Sequence, residues 1–309
     1  MNQSINRRQL LHHSLTTAAA LSATATLGGA GRVAAEPAGN STETKKTRKY
    51  NLGLVTYLIA AEWDLPTIIR RCPAAGIHAL EFRTTHKHGI EPSLSKAERA
   101  DVKKRCADGG LIIWSLGTAC DFHSPDPAQL RAHIDTALRF VDLAHDLGAP
   151  QIKVRPNGLP PEVSEEKTLE QIGGALRTLG QAGADANVLI SCEVHGRGTQ
   201  HPPRMRKIME IADHPAVGVT WNSNAADIKD GSVKDYFDLL SRWIFNVHIT
   251  ELISDYPYRE LFTLLNGIGY EGYTMIEAPG LETTSEKDSI RFLKYYKALW
   301  EQLSQPASR

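Results

Sequence analysis

Val188-Leu189-Ile190-Ser191-Cys192-Glu193-Val194 is a short run of apolar and small residues without regular polar–apolar alternation. Such a run is typical of a parallel strand that is covered on both faces. The segment before it is amphipathic, with Leu169, Ile172 and Leu176 at three- and four-residue spacing and Gly183 near its end. Because glycine suits the left-handed cap that ends many helices, the stretch predicts a helix followed at once by a buried strand.

The same unit recurs along the chain from Tyr50 onward, where β-rich runs alternate with amphipathic segments. The runs are residues 51–57, 77–83, 111–116, 151–155, 188–194, 217–222, 244–249 and 273–277. Strands that are each followed by a helix predict a closed (β/α)₈ TIM barrel. An open doubly wound sheet is the alternative, but it usually carries a GxGxxG turn after its first strand, and Leu52-Gly53-Leu54-Val55 has none.

The charge of the chain argues against nucleic acid as a partner. The 309 residues contain 35 basic and 35 acidic side chains. Three of the basic residues, Arg7, Arg8 and Arg32, fall in the first 35 positions, which hold no acid, so the remainder carries 32 basic and 35 acidic residues and a net charge of −3. A nucleic-acid binder needs a basic surface that this composition does not supply.

The N-terminal residues have the pattern of an export signal. An arginine pair precedes a mildly apolar run from Leu15 to Leu27, and the small residues Val33-Ala34-Ala35 follow as a cleavage site. The order is typical of a twin-arginine signal and predicts export to the periplasm, while the run is too short and polar for a stable membrane span. We therefore expect a signal peptide over 1–35, a linker over 36–48, a single barrel over 49–304 and a tail over 305–309.

The cysteines indicate no structural zinc site. Cys72, Cys106, Cys120 and Cys192 show no CxxC spacing. Cys192 lies inside an apolar run and is expected to be a buried thiol. Cys72 and Cys106 lie near the ends of successive predicted helices, so the sequence leaves open a disulfide between them.

Polar residues stand where the predicted strands end, which is where a barrel of this kind builds its active site. Glu193, Asn222, His248 and Glu277 come from the four consecutive runs at 188–194, 217–222, 244–249 and 273–277. An unpaired carboxylate at the end of a buried strand is costly, and a dication would relieve the repulsion between two of them. Two carboxylates, an imidazole and an amide oxygen suit one divalent metal ion, with Mn²⁺ expected and Mg²⁺, Co²⁺ or Zn²⁺ as alternatives.

These runs give the chain a resemblance to the xylose isomerase-like TIM barrel superfamily, the sugar phosphate isomerase/epimerase family. The segments that carry it are 190–196, 217–222, 246–249 and 273–277, and the similarity extends over about 50–300. The resemblance implies a metal held by Glu, Asp, His and Glu from strands five to eight. Glu193, His248 and Glu277 match this pattern, whereas Asn222 stands in place of the Asp and removes one negative charge.

The resemblance also implies the reaction. It predicts a metal-dependent sugar isomerase or epimerase that transfers a proton next to a carbonyl through an enediolate stabilised by the metal. Glu193 and Glu277 would be the acid/base pair on the two faces of the reacting carbon. The family name suggests phosphorylated sugars, but because these are scarce outside the cytoplasm, the expected substrate is a free or oxidised sugar, a cyclitol or a glycoside. Barrels of this superfamily often pair, so whether the protein forms a homo-oligomer stays open.

Further residues at the strand ends are candidates for substrate binding: Glu81, Arg155, His195, Arg197 and Trp221. Arg155 and Arg197 would bind substrate oxygens or pair with the acidic ligands. Glu81 would hold His195, Arg83 or a sugar hydroxyl, and Trp221 would stack on a sugar face or lie in the core. Two pairs of residues are predicted to lie on loops, His86/His88 and Asp121/His123. We expect them to be substrate contacts or surface residues, and additional metal ligands are the alternative.

Three other functions remain as alternatives. A metal-dependent lyase or hydratase acting on keto-sugars, cyclitols or 3-keto-glycosides would need the same metal and base. An apurinic-site endonuclease has a related barrel, but it needs more histidine ligands and a basic face. A non-catalytic carbohydrate-binding barrel is suggested by Asn222 in place of a charged ligand.

Overall fold

The computed structural model describes residues 48–279 and 285–305. Within them, strands and helices alternate from end to end. The order is β1 (Asn51–Val55), α1 (Leu65–Ala74), β2 (Ala79–Arg83), α2 (Lys96–Asp108), β3 (Ile112–Asp121), α3 (Pro127–Leu147), β4 (Gln151–Arg155), α4 (Glu165–Ala186), β5 (Leu189–Glu193), α5 (Pro202–Ala212), β6 (Val217–Asn222), α6 (Lys234–Leu240), β7 (Ile244–Ile249), α7 (Tyr258–Gly267), β8 (Tyr273–Ile276) and α8 (Glu286–Leu303).

The strands form one closed, parallel barrel in the order β1 to β8, and β8 pairs with β1 through Asn51 and Tyr273. The predicted (β/α)₈ TIM barrel is confirmed. Most predicted runs match the strands to within about two residues. The run at 111–116 was too short, because β3 continues through the polar and small residues Thr118, Ala119 and Cys120 to Asp121.

Local sequence fixes where several helices begin. Short polar side chains accept a hydrogen bond from a backbone N–H of the first helical turn and so satisfy a donor that the helix itself cannot. These N-caps are Asp64, Ser95, Asp126, Ser164 and Ser285. Each helix therefore starts a defined distance after its strand, which fixes the loops that surround the barrel mouth.

Side chains along each strand alternate between the barrel interior and the surrounding helices. Phe82, Val154 and Val194 are buried in the hydrophobic core, while the neighbouring Glu81 and Lys153 contact polar groups inside the barrel. The interior of the barrel near the strand ends is therefore polar although it is buried, and this is where the candidate site lies.

The four cysteines are buried free thiols, so the suggested Cys72–Cys106 disulfide is absent. Burial raises the pKa of both thiols to about 12. Among the described residues, no helix is both long and apolar enough to cross a membrane. The predicted signal peptide, nearly all of the linker and residues 280–284 and 306–309 lie outside the described residues.

Two adjacent glycines in α4 offer a matched test of this packing. A Cβ on Gly173 would lie 2.5 Å from Ile211 Cγ2 and 3.2 Å from the Ile208 carbonyl oxygen, whereas Gly174 faces open space. We expect Gly173→Ala to lower the free energy of unfolding by about 1–3 kcal/mol. Gly174→Ala should raise it by about 0.5–1 kcal/mol, because alanine loses less entropy in a helix. Urea unfolding measures both, and shifts of equal sign and size would contradict the packing of α4 on α5.

Candidate metal centre and active site

The ends of the last four strands bring the predicted ligands together. Asn222 pairs in register with His248, and the backbone N–H of Glu277 donates to the Ile249 carbonyl at 2.8 Å. One ligand atom from each of Glu193, His248 and Glu277 lies within 4.8 Å of the others. We call these three residues the ligand triad. The predicted convergence of side chains from distant parts of the chain is thus present in the structure.

His248 is completely buried between carboxylates. Its Nδ1 lies 3.2 Å from Glu277 Oε2 and 3.6 Å from Glu193 Oε1, and its Nε2 lies 3.3 Å from Glu81 Oε2. Burial alone would lower the pKa of His248, but the charges of Glu81 and Glu277 outweigh it and hold the pKa well above the usual value. These carboxylates therefore favour a positive charge at this position, either a proton on the ring or a cation beside it.

Glu81 is fully buried next to the Nε2 atom of His248, whereas Glu193 and Glu277 lie next to the Nδ1 atom. Its Oε2 accepts a hydrogen bond from Asn246 Nδ2 at 3.0 Å, and Asn246 Oδ1 in turn accepts one from Trp114 Nε1 at 3.1 Å. Glu81 was predicted to contact the substrate, yet its contacts are with His248 and Asn246. It orients the imidazole, as carboxylates do for metal-bound histidines in many proteins.

Glu193 has two different neighbours, one on each carboxylate oxygen. Lys153 Nζ donates to Oε2 at 2.7 Å, and Asn222 Nδ2 donates to Oε1 at 3.2 Å. Burial would raise the pKa of Glu193, but the Lys153 ammonium outweighs it and, with His248, holds the pKa well below the usual value. Glu193 is therefore a fixed carboxylate.

Sequence reasoning did not select Lys153 as a site residue. Its side chain is only 4% exposed and lies inside the barrel beside Glu193. The signal was present in the sequence, because a lysine between Ile152 and Val154 in a predicted barrel strand must find a buried partner. The identity of that partner depended on the register of β4 against β5, where Lys153 pairs with Ser191.

The triad residues fit a divalent cation. Two carboxylates and an imidazole nitrogen are suitable ligands for Mn²⁺, Co²⁺ or Zn²⁺. The Nδ1 atom of His248 is buried and, among the described residues, has no hydrogen-bond partner. Asn222 is 7% exposed and turns its amide nitrogen towards Glu193. A half-turn of that amide would present the carbonyl oxygen instead, which is the orientation that the predicted fourth ligand requires.

A second layer of polar side chains lies closer to the mouth of the barrel. Asn157 Nδ2 donates to Asp121 Oδ2 at 3.0 Å, which leaves Asn157 Oδ1 as the acceptor for His195 Nδ1 at 3.0 Å. His195 is therefore the tautomer with its proton on Nδ1, and its Nε2 is free to accept a hydrogen bond. Burial lowers the pKa of His195, which favours this neutral form.

Arg155 belongs to the same layer. Its Nη2 donates to the Ala119 carbonyl at 3.0 Å and lies 3.6 Å from Asp121 Oδ2. Asp121 also lies 3.4 Å from His123 Nδ1 and 3.2 Å from His133 Nδ1. Asp121 and His123 are thus part of this layer and do not contact the ligand triad.

The remaining predicted substrate-binding residues do not contact the ligand triad. Trp221 is 0% exposed, packs against Phe237 and donates from Nε1 to the Tyr256 hydroxyl at 3.0 Å, so a sugar cannot stack on it. The expectation of a substrate contact for Trp221 was wrong, because strand alternation turns its side chain to the helices. Arg197 is exposed on the loop after β5.

The two histidines of the β2 loop have local partners. His88 bonds the Arg83 carbonyl and the Ile90 N–H through its two ring nitrogens, both at 3.0 Å, and is a buried structural residue. His86 Nδ1 lies 3.0 Å from the Thr56 hydroxyl. Neither histidine is an extra metal ligand in this arrangement.

A family model described as a xylose isomerase-like TIM barrel matches residues 69–296, which is more than half of the chain. The chain belongs to this family. The resemblance seen in the sequence is thus confirmed. Among curated proteins, a 3-dehydroshikimate dehydratase of Pseudomonas putida is 29% identical over 124 residues. That match covers 40% of this chain but only 19% of the dehydratase.

Solved structures share the fold at low identity. L-ribulose 3-epimerase superposes with a TM-score of 0.68 and 17% identity, covering 82% of this chain and 95% of the epimerase. The 3-keto-D-glucoside 4-epimerase of E. coli superposes with a TM-score of 0.65 and 15% identity, covering 81% and 99%. At these identities the similarity establishes the architecture, and the chemistry must be argued from the side chains.

The contact between Glu81 and His248 predicts a role in metal binding. Glu81→Gln keeps the shape of the side chain but removes the charge that orients the imidazole. We expect the affinity for Mn²⁺ to fall by about 10–100-fold. Competition titration against a fluorescent chelator measures this. Glu210→Gln, which alters an exposed ion pair with Arg206 on α5, is the matched control, and equal affinities in the two variants would refute the role.

Proposed function

We propose that this protein is a metal-dependent sugar isomerase or epimerase that moves a proton next to a carbonyl group. The observation that carries the proposal is the buried triad of Glu193, His248 and Glu277, with ligand atoms within 4.8 Å of one another at the mouth of a barrel of this family. One divalent ion is proposed at the triad, with Mn²⁺ first and Mg²⁺, Co²⁺ or Zn²⁺ as alternatives. Residues 1–35 are proposed to direct export, so that the substrate is a periplasmic carbohydrate.

The bound ion would supply a Lewis acid that polarises the substrate carbonyl and offsets the negative charge that develops on its oxygen. Glu193 and Glu277 would exchange protons with the reacting carbon, one from each side. Glu277 is the more accessible of the two, with 14% of its side chain exposed against 3% for Glu193. Glu193 is fixed by Lys153 and Asn222 and would hold its position throughout the reaction.

The proton-transfer groups would work in a site with little water. His195 can accept a hydrogen bond from a substrate hydroxyl through its free Nε2 and so orient the sugar over the triad. Return of the proton to the opposite face of the same carbon gives an epimer, and return to the neighbouring carbon gives an isomer.

A lyase is the second candidate. It is favoured by the sequence match to 3-dehydroshikimate dehydratase over 124 residues. The same carboxylate would remove the same proton, and loss of a β-substituent would replace the return of the proton. 3-Dehydroshikimate is therefore included among the compounds to be tested.

Solvent deuterium exchange separates the candidates. The mature, Mn²⁺-loaded protein is incubated in D₂O with ketoses, 3-keto-glycosides and 3-dehydroshikimate, and the products are followed by NMR. We expect deuterium at the carbon next to the carbonyl of a sugar without loss of a substituent. Loss of a hydroxyl with formation of a double bond would establish the lyase instead. Exchange in neither class would contradict an enzyme of either kind.

Glu277→Gln tests the acid/base role of the more accessible carboxylate. The amide keeps a potential ligand oxygen but cannot take up a proton, so exchange should slow by about 10²-fold or more. Glu210→Gln on α5 is again the control and should exchange at the rate of the unaltered protein. An unchanged rate in Glu277→Gln with metal still bound would refute the assignment.

A further inference from the structure

The layer above the triad carries two arginines, Arg83 on β2 and Arg155 on β4, on either side of β3. In register, Arg83 of β2 pairs with Gly117 of β3, and Gly117 pairs with Lys153 of β4, two residues before Arg155. A Cβ on Gly117 would lie 2.9 Å from Glu81 Oε1 and 3.3 Å from Arg83 Cδ. Glycine at this position therefore leaves room for both the Glu81 and Arg83 side chains inside the barrel.

Both guanidinium groups are incompletely neutralised. Arg83 Nη1 donates to the Thr84 carbonyl at 3.2 Å, its guanidinium carbon lies 6.0 Å from the centre of the Tyr57 ring, and it forms no ion pair with a carboxylate of the described residues. Arg155 lies 3.6 Å from the Asp121 carboxylate, and its buried Nε has no hydrogen-bond partner among the described residues. Burial lowers the pKa of Arg83, and repulsion from the Arg155 cation lowers it further. Arg83 Cδ lies beside Gly117 and Arg155 Nη2 bonds the Ala119 carbonyl, so both side chains extend along β3, and each guanidinium retains donors for an anion.

The charges around the site leave one positive charge uncompensated once a dication is bound. Four carboxylates belong to the centre or touch the layer above it: Glu81, Glu193, Glu277 and Asp121. Three side-chain cations face them, Arg83, Lys153 and Arg155. With His248 neutral, as it must be when its Nδ1 is a metal ligand, these side chains carry one net negative charge, and a divalent ion at the triad changes the total to one positive. A single monoanionic group on the substrate would restore neutrality among these partly buried charges.

We propose that the substrate is a sugar acid whose carboxylate binds between Arg83 and Arg155. The inference rests on the proposed function, because the charge balance includes its metal ion. Arginine presents paired donors that match the two oxygens of a carboxylate. A phosphate monoester carries about two negative charges at neutral pH and would overcompensate the site. Oxidised sugars such as hexuronates, and keto acids derived from them, belong to the predicted class.

Paired ligands that differ only in the charged group test this inference. Isothermal titration calorimetry of the Mn²⁺-loaded protein is run with D-glucuronate against D-glucose, D-galacturonate against D-galactose, D-fructuronate against D-fructose, and D-glucose 6-phosphate. We expect at least one acid to bind tenfold or more tightly than its neutral partner. Arg83→Gln and Arg155→Gln should each remove most of that preference and leave the affinity for the neutral sugar within about twofold.

Arg206→Gln, which alters an exposed arginine on α5, is the matched control and should keep the full preference. No preference for any acid in the unaltered protein, or an equal loss of acid and neutral binding in the arginine variants, would overturn the inference. Tighter binding of the phosphate than of every acid would overturn the carboxylate assignment. If deuterium exchanges into neutral ketoses and no acid is preferred, the proposed function stands and this inference fails. If sugar acids bind in an arginine-dependent way but no compound exchanges deuterium, this inference stands and the proposed function fails.

Discussion

The site depends on one imidazole that is held among carboxylates in the interior of the barrel. His248 lies against Glu277 and Glu193 on one side and Glu81 on the other. Such an arrangement is stable only if positive charge is present at the centre, because buried carboxylates repel one another strongly. A proton on the ring supplies that charge in the metal-free protein, and a dication next to Nδ1 would supply more of it. The fold thus creates an electrostatic requirement that a metal ion would meet.

The sequence predicted the architecture well because its signals are local. Apolar runs, amphipathic spacing and glycine caps identified the strands and the closed barrel, and the last residues of β5 to β8 identified the ligand triad. The end of β3 was missed because its final residues are small or polar and show no strand pattern. Lys153 and the role of Glu81 were missed because they depend on which strands face each other across the barrel. Trp221 was left open between a sugar contact and the core because a tryptophan at a strand end can face either the interior or the helices.

Asn222 and Lys153 together determine the charge at the centre of the site. Where the resemblance implies an aspartate, this chain has an amide that donates to Glu193, and the other oxygen of Glu193 accepts from a buried ammonium. The amide makes the centre less negative than the pattern implied by the resemblance, and the Lys153 ammonium offsets more of the remaining negative charge. The bound ion would consequently be a stronger Lewis acid, and the surplus positive charge would extend to the arginine layer. A single charge distribution therefore includes Asn222, which departs from the family pattern, the buried Lys153, and the arginines Arg83 and Arg155.

The most direct test of this account is an anomalous-difference map from crystals of the protein grown with Mn²⁺. The account predicts one strong peak about 2 Å from His248 Nδ1 and from a carboxylate oxygen of both Glu193 and Glu277, with Glu81 still bound to Nε2. A peak elsewhere in the barrel, or an ordered triad with no peak at saturating metal, would contradict the claim that these residues form a metal centre.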